Sequence, residues 1–218
     1  KLKEKVKDRL FAIANDIIKL AAARELVNGI KINTDKKILE DFQKSAGFDY
    51  TKDQKRSIKE IFADLSSGRV MDRLLSGDVG FGKTEVAMNA MLAVILDGFQ
   101  AIFVCPTTLL ATQHYHSMQK RFSEFGISIA KLDGKTSAKE KTHIKKGLES
   151  GEIKLVIGTH SLLEIKTNNL ALVIIDEEHK FGVKQKEKLK HLREDVHIFS
   201  MSATPIPRTL NLALSKLK

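Results

Sequence analysis

The stretch Gly77-Asp78-Val79-Gly80-Phe81-Gly82-Lys83-Thr84 decides how this chain folds. It meets the pattern G-x-x-x-x-G-K-[ST] at every fixed position, between a short apolar run, Arg73-Leu74-Leu75, and a helical pattern that opens at Thr84. That is the strand-loop-helix setting of a phosphate-binding P-loop. The glycines let the backbone turn its N–H groups onto phosphate oxygens, and the helix N-terminus adds its dipole. Lys83 is expected to reach the outer phosphates of a nucleotide and the Thr84 hydroxyl to ligate Mg²⁺.

Outward from this loop, apolar runs alternate with helical patterns, the mark of a parallel sheet with helices on both faces. The runs predict strands at 73–75, 101–104, 128–132, 155–157, 172–175 and 197–201, and the periodic segments predict helices at 53–66, 84–96, 109–122, 138–150 and 183–192. The fold class is therefore α/β, a P-loop NTPase. One strand, Leu172-Val173-Ile174-Ile175, runs directly into Asp176-Glu177-Glu178-His179, so it delivers acids at its carboxyl end, where α/β sheets bind ligands. Asp176 suits Mg²⁺, through water, and Glu177 suits the orientation and deprotonation of an attacking water.

Ahead of the P-loop, residues 1–27 read as one amphipathic helix, with Val6, Leu10, Ile13, Ile17, Leu20 and Leu26 at helical spacing. Asn28-Gly29 is expected to close it as a left-handed cap. No N-capping signal opens it, so it is expected to begin inside a longer helix. Residues 29–47 read as a connector with a short helix at 36–44 closed by Gly47, and residues 48–218 as the main domain.

Composition narrows the setting. The 218 residues carry 42% hydrophobic and 29% charged side chains, ordinary for a globular domain, and no apolar stretch approaches the roughly 20 residues of a membrane span. The first nine residues alternate charges and lack the apolar core of a secretory signal. Cys105, the single cysteine, allows no intrachain disulfide and fits a reducing cytoplasm. His114 and His116 stand two apart on a predicted helix and face different sides, so no zinc site is expected from their spacing. A formal net charge of +10 favours an anionic partner such as a nucleic-acid backbone. The lysines between Lys180 and Arg193 and those at Lys139 and Lys141 read mainly as solvated faces.

Together these residues resemble the superfamily-two DExH helicases over nearly all of 48–214, which implies a RecA-like lobe with an N-terminal helical extension. The resemblance makes Phe48 and Gln54 an adenine-reading pair, by stacking and by hydrogen bonding, and gives the segment from Gly77 to Glu85 to the nucleotide, ATP with Mg²⁺. Pro106-Thr107-Thr108-Leu109-Leu110-Ala111 resembles motif Ia and Gly158-Thr159-His160 motif Ib, both of which hold nucleic-acid backbone, and Lys135 falls at a further backbone contact. Ser202-Ala203-Thr204 resembles motif III, which couples the nucleotide site to the nucleic-acid track, and His179 falls among the coupling residues.

Within the superfamily, the runs Gly77 to Met88 and Asp176 to Val183 resemble the double-strand DNA translocases that displace stalled RNA polymerase and recruit excision repair. The tail Ala203 to Leu210 is shared with the branched-DNA remodelling helicases, but these usually carry serine for Phe81, glutamine for Glu178 and Pro-Thr-Glu for Pro106-Thr107-Thr108. Tyr50 and Lys180 depart modestly from the relatives' pattern. The implied partners are double-stranded DNA, a second RecA-like lobe, and RNA polymerase and excision-repair proteins through other domains, with no membrane; residues 1–28 would be a linker helix. Because such motors borrow an arginine finger from a second lobe, this lobe alone is expected to bind ATP and hydrolyse it feebly, a loss of about 10³–10⁵ in rate. A branched-DNA helicase lobe and a nucleotide-binding module without turnover are the alternatives.

Overall fold

The computed structural model describes residues 27–181 and 195–203. The expected helices at 1–27 (apart from its last residue) and 183–192, the basic residues of the latter, and Thr204 lie outside this set.

The described elements run in the order α1 (Lys37–Lys44), α2 (Lys52–Ser66), β1 (Asp72–Ser76), α3 (Lys83–Leu96), β2 (Gln100–Val104), α4 (Thr108–Ser123), β3 (Ile129–Leu132), α5 (Ala138–Ser150), β4 (Leu155–Gly158), β5 (Leu170–Asp176) and β6 (His197–Ser202). Single 3₁₀ turns at His160–Glu164 and Glu178–Lys180 follow β4 and β5. The strands form one parallel sheet in the order β1-β6-β5-β2-β4-β3. All six expected strands are present within a residue or two of their expected bounds.

The central strands read as unbroken apolar runs because both faces of the sheet are covered. Along β2, Ala101 and Phe103 enter one core while Ile102 and Val104 enter the other; along β5, Leu172 and Ile174 face the first and Val173 and Ile175 the second. The first core lies under α3, whose residues from Glu85 to Ile95 are all buried, as befits a helix that is apolar on every side. Caps fix the helix starts. Thr51 and Gln54 form a reciprocal capping box on α2, and Ser137 and Glu140 form another on α5.

The segment read as a connector belongs to this core, to which it contributes Ile32, Leu39 and Phe42. It is latched by the Gly29 amide on the Gly68 carbonyl, the Ile32 amide on the Leu65 carbonyl, and an ion pair between Lys36 and Asp97 at 2.9 Å. Asn28-Gly29 is not the left-handed cap expected from sequence. Asn28 forms an antiparallel bridge with Arg69, and Gly29 is outside the positive-φ glycines. A Cβ there would stand 2.4 Å from the Arg69 carbonyl carbon, so the glycine answers a close backbone approach.

Candidate functional site: a nucleotide cradle joined to a polar face

Three neighbouring strands deliver the nucleotide motifs to one edge of the sheet. Ser76 at the end of β1 pairs with Ser202 of β6, and Asp176 at the end of β5 pairs with Met201. Past the strand ends the Gly77 amide donates to the Ser202 carbonyl (3.2 Å) and the Glu177 amide to that of Met201 (2.9 Å). The P-loop and the acidic turn are thus both tied to β6, the strand that ends at Ser202.

Within the loop, Gly80 and Gly82 take φ of 85° and 81°, the left-handed conformation that the turn requires before Lys83 opens α3. Lys83 Nζ donates to the carbonyls of Gly77 (2.7 Å) and Asp78 (2.9 Å), which places its charge across the loop. Thr84 is half-buried in the first turn, and Val79 projects from the loop, 90% exposed. Gln54 braces the cradle from behind: Nε2 donates to the Phe81 carbonyl (2.7 Å) while Oε1 accepts the Thr51 amide (2.8 Å). Phe48 is 52% exposed against Tyr50, ring centroids 5.5 Å apart, and so offers a face for stacking.

Glu85, grouped above with the nucleotide residues, commits its carboxylate to the interior. It accepts the Tyr50 hydroxyl and pairs with Arg121 of α4 at 2.9 Å, while Asn89 Nδ2 donates to Tyr50 Oη at 3.2 Å. Burial first, then the hydrogen bond to Glu85, pushes the Tyr50 phenol well above its ordinary value. Tyr50, the departure from the family pattern, is thereby a support between the segment that holds Phe48 and the start of α3.

At the acidic turn, Glu177 adopts φ 52°, ψ 53°, and is the single non-glycine residue with positive φ among those described. Such a conformation costs on the order of 1 kcal/mol or more and persists where surroundings impose it. Here Oε1 accepts the Ala203 amide at 2.9 Å. His179 Nδ1 lies 3.1 Å from Oε2 but out of line for a hydrogen bond, so Oε2 is buried without one. A buried carboxylate oxygen with a free lone pair is what a water-orienting base needs. Glu178 instead accepts the Ser200 hydroxyl at 2.8 Å. Asp176 is 7% exposed and its Oδ2 accepts from His114 Nε2 at 3.1 Å. The donor set fits Mg-ATP: glycine amides and Lys83 for phosphates, Thr84 and Asp176 for the hard cation, Glu177 beyond them.

The remaining strands form a second, polar half of the same edge. Thr107 Oγ1 caps α4 on the Leu110 amide (3.3 Å), and Thr108 opens that helix beside Pro106, with Leu109 68% exposed. The Cys105 amide donates to the Gly158 carbonyl, which sets Pro106-Thr107-Thr108 beside Thr159-His160. Thr159 is buried with its hydroxyl 3.3 Å from that of Ser161, and His160 is half-buried in the 3₁₀ turn. After β3, Asp133 accepts the Lys135 amide (2.8 Å) and Lys131 Nζ (2.9 Å), shaping a turn that presents Lys135 to solvent. Burial acts to raise the Asp133 carboxyl, but the Lys131 bond, the Lys135 amide and Thr136 hold it below its ordinary value. A cavity of about 510 Å³ opens beside Gly134, lined in part by Lys141, Lys145 and Lys166.

Sequence spacing gave no hint of one association. Cys105, His114 and Asp176, from β2's end, α4 and β5, bring a thiol, an imidazole nitrogen and a carboxylate oxygen within 4.8 Å of one another. Burial and the nearby Asp176 charge push the Cys105 thiol up, so it stays protonated near neutral pH unless a metal displaces the proton. His114 and His116 do part company, as expected: His114 packs on Phe103 (4.9 Å) and His116 is exposed.

A fold of this order, with a P-loop, an Asp-Glu turn and hydroxyl-bearing strand ends on one edge, defines an NTPase lobe of the helicase type. The DEAD/DEAH box helicase family model matches residues 51–213, and the chain belongs to that family. It is 56% identical over its whole length to the transcription-repair-coupling factor of Helicobacter pylori (strain J99), covering 22% of that protein, and 44% identical over 98% of its length to that of Bacillus subtilis (strain 168), covering 18%. The chain therefore spans about a fifth of the length of these relatives. Among solved structures, RecG bound to a three-way DNA junction superposes with a TM-score of 0.83 at 42% identity, over 96% of this chain and 28% of that one. The helicase MrfA bound to DNA and AMPPNP shares the fold, with a TM-score of 0.65 at 18% identity over 87% of this chain and 31% of that one.

Proposed function

We propose that this chain is the ATP-binding lobe of a double-strand DNA translocase that acts in transcription-coupled repair, displacing stalled RNA polymerase. The observation that carries the nucleotide half of this reading is Glu177: its left-handed backbone and its bond to Ala203 hold a buried carboxylate oxygen that makes no hydrogen bond, next to Asp176 in the chain and at the strand ends shared with the P-loop. Bound Mg²⁺ would neutralise phosphate charge, held by Thr84 and Asp176. Lys83 would release the Gly77 and Asp78 carbonyls to take the outer phosphates, and Glu177 would orient the attacking water. Ala203 then reports on the state of Glu177 directly, since any shift of that carboxylate moves the backbone after β6. Duplex backbone would lie across Thr107, Thr108, Thr159, His160 and Lys135, where hydroxyls, helix N-termini and lysine suit phosphate oxygens. The specific process is supported by the relatives' name and by Phe81, Glu178 and Pro106-Thr107-Thr108.

The test is a titration of fluorescent ADP with Mg²⁺ into the chain and into Lys83→Ala, with turnover followed with and without duplex DNA. Loss of a charge-assisted donor is worth about 1.5–3 kcal/mol, so Lys83→Ala is expected to weaken binding roughly 10- to 150-fold. Equal binding by the two proteins refutes the cradle, and strong DNA-stimulated turnover by the chain alone refutes the need for a second lobe. A second reading, a lobe that remodels branched DNA, is favoured by the RecG superposition; stimulation by forked but not linear duplex would select it.

A further inference from the structure

The seam between the two halves of the sheet edge falls between β5 and β2, and the His114 side chain crosses it. His114 lies on α4, seven residues past the Thr107 cap, about 10 Å along the helix. From there it reaches Asp176 with Nε2 at 3.1 Å from Oδ2. An ionised carboxylate only accepts, so Nε2 must carry the hydrogen. The ring also packs on Phe103, centroids 4.9 Å apart, and both partners of the carboxylate contact are largely buried, with 18% and 10% of their side chains exposed. A buried imidazole that packs on an aromatic ring and bonds Oδ2 limits the rotation of that carboxylate.

Resting on the nucleotide reading above, we infer that His114 is a positioning residue for Mg²⁺, fixing the Asp176 carboxylate so that its free oxygen meets the metal shell without reorganisation. Groups that orient a metal-binding carboxylate typically contribute about 10- to 100-fold to metal affinity. In this role the imidazole acts through Asp176. It also belongs to the helix that opens with the motif Ia residues, so the cation site is built from both halves of the edge.

The experiment measures fluorescent-ADP binding to the chain as a function of Mg²⁺, and without Mg²⁺, for wild type, His114→Ala, His114→Asn and His114→Gln. A glutamine amide nitrogen falls about where Nε2 stands, whereas asparagine is too short to reach Asp176. His114→Ala and His114→Asn are expected to raise the Mg²⁺ concentration for half-maximal effect about 10- to 100-fold, with Mg²⁺-free affinity unchanged, and His114→Gln to restore the wild-type curve. Wild-type Mg²⁺ dependence in His114→Ala or His114→Asn overturns the inference. So does equal impairment of all three variants, or loss of Mg²⁺-free affinity along with the metal response, either of which marks a packing residue. Lys83→Ala run in parallel separates the two readings: if wild type binds no nucleotide, or binds it independently of Lys83, both fall, whereas Lys83-dependent binding with an indifferent His114 removes this inference alone.

Discussion

Replacing Arg121 by alanine should be among the most damaging single changes away from the P-loop. Arg121 Nη2 lies 2.9 Å from Glu85 Oε1 and 2.8 Å from the Phe42 carbonyl, Nη1 is 2.7 Å from Ser45 Oγ, and the guanidinium carbon stands 4.1 Å over the Phe42 ring. Only 12% of the Arg121 side chain and 9% of that of Glu85 are exposed. At an effective dielectric of about 20, charges at that separation attract by about 5.7 kcal/mol, which lost hydration largely offsets. Removing one partner leaves the other charge stranded, at a cost of about 3–5 kcal/mol. For a domain of this size that lowers Tm by about 6–20 °C. Urea unfolding of Arg121→Ala, Glu85→Gln and the double variant closes the cycle, with the double costing well under the sum of the singles because neither charge is then left alone. A cost for Arg121→Ala below about 1 kcal/mol, the value of an exposed pair, or strict additivity in the cycle, would refute the account.

Two further outcomes rest on close contacts. Gly158→Ala would set a Cβ 1.9 Å from the Leu132 carbonyl oxygen of the paired strand β3, so it should destabilise by about 1–3 kcal/mol or more in thermal melts, while Gly134→Ala, with open space around its Cβ, should leave Tm unchanged; equal melting of the two would contradict the packing. His197 accepts the Met71 amide at Nδ1 (2.9 Å) and donates from Nε2 to the Ile30 carbonyl (2.7 Å). Burial first lowers its pKa below the ordinary 6.5, against the opposing pull of Ile30, Asp195 and Asp64. The unfolded chain then binds the proton more readily, so His197's contribution should be complete above about pH 6.5 and fade as pH falls from there toward its lower folded value. Melting curves should show a shallower acid slope for His197→Gln than for wild type, and parallel slopes would count against this role.

The sequence made legible what local pattern encodes. The P-loop, the strand that ends at Asp176 and the span of α5 were readable because each depends on neighbours in the chain: glycines before Lys83, apolar residues before an acid, a helical period over 138–150. What escaped was contact across elements. His114 and Asp176 are 62 residues apart and meet because β5 lies beside β2, an order no periodicity reveals. The same holds for Tyr50, Glu85 and Arg121, where a phenol, an acid and a base from three segments share one buried site. Asn28-Gly29 misled for a related reason: a glycine wanted by a distant backbone looks the same as one wanted by a helix end. The strain at Glu177 left no trace at all, since its residue type does not favour that conformation.

The place of β6 in the sheet bears on how the protein is made. Among the described residues β1 hydrogen-bonds to no strand but β6, whose Ile198 pairs with Asp72. During synthesis the P-loop therefore leaves the ribosome with its strand unpartnered, and it waits while more than a hundred further residues emerge. Until β6 slots between β1 and β5, the edge of β5 is open too, and neither Gly77 nor Glu177 has the carbonyl on which its amide is anchored. Nucleotide competence is therefore expected to arrive late, once the strand that ends at Ser202 has been translated.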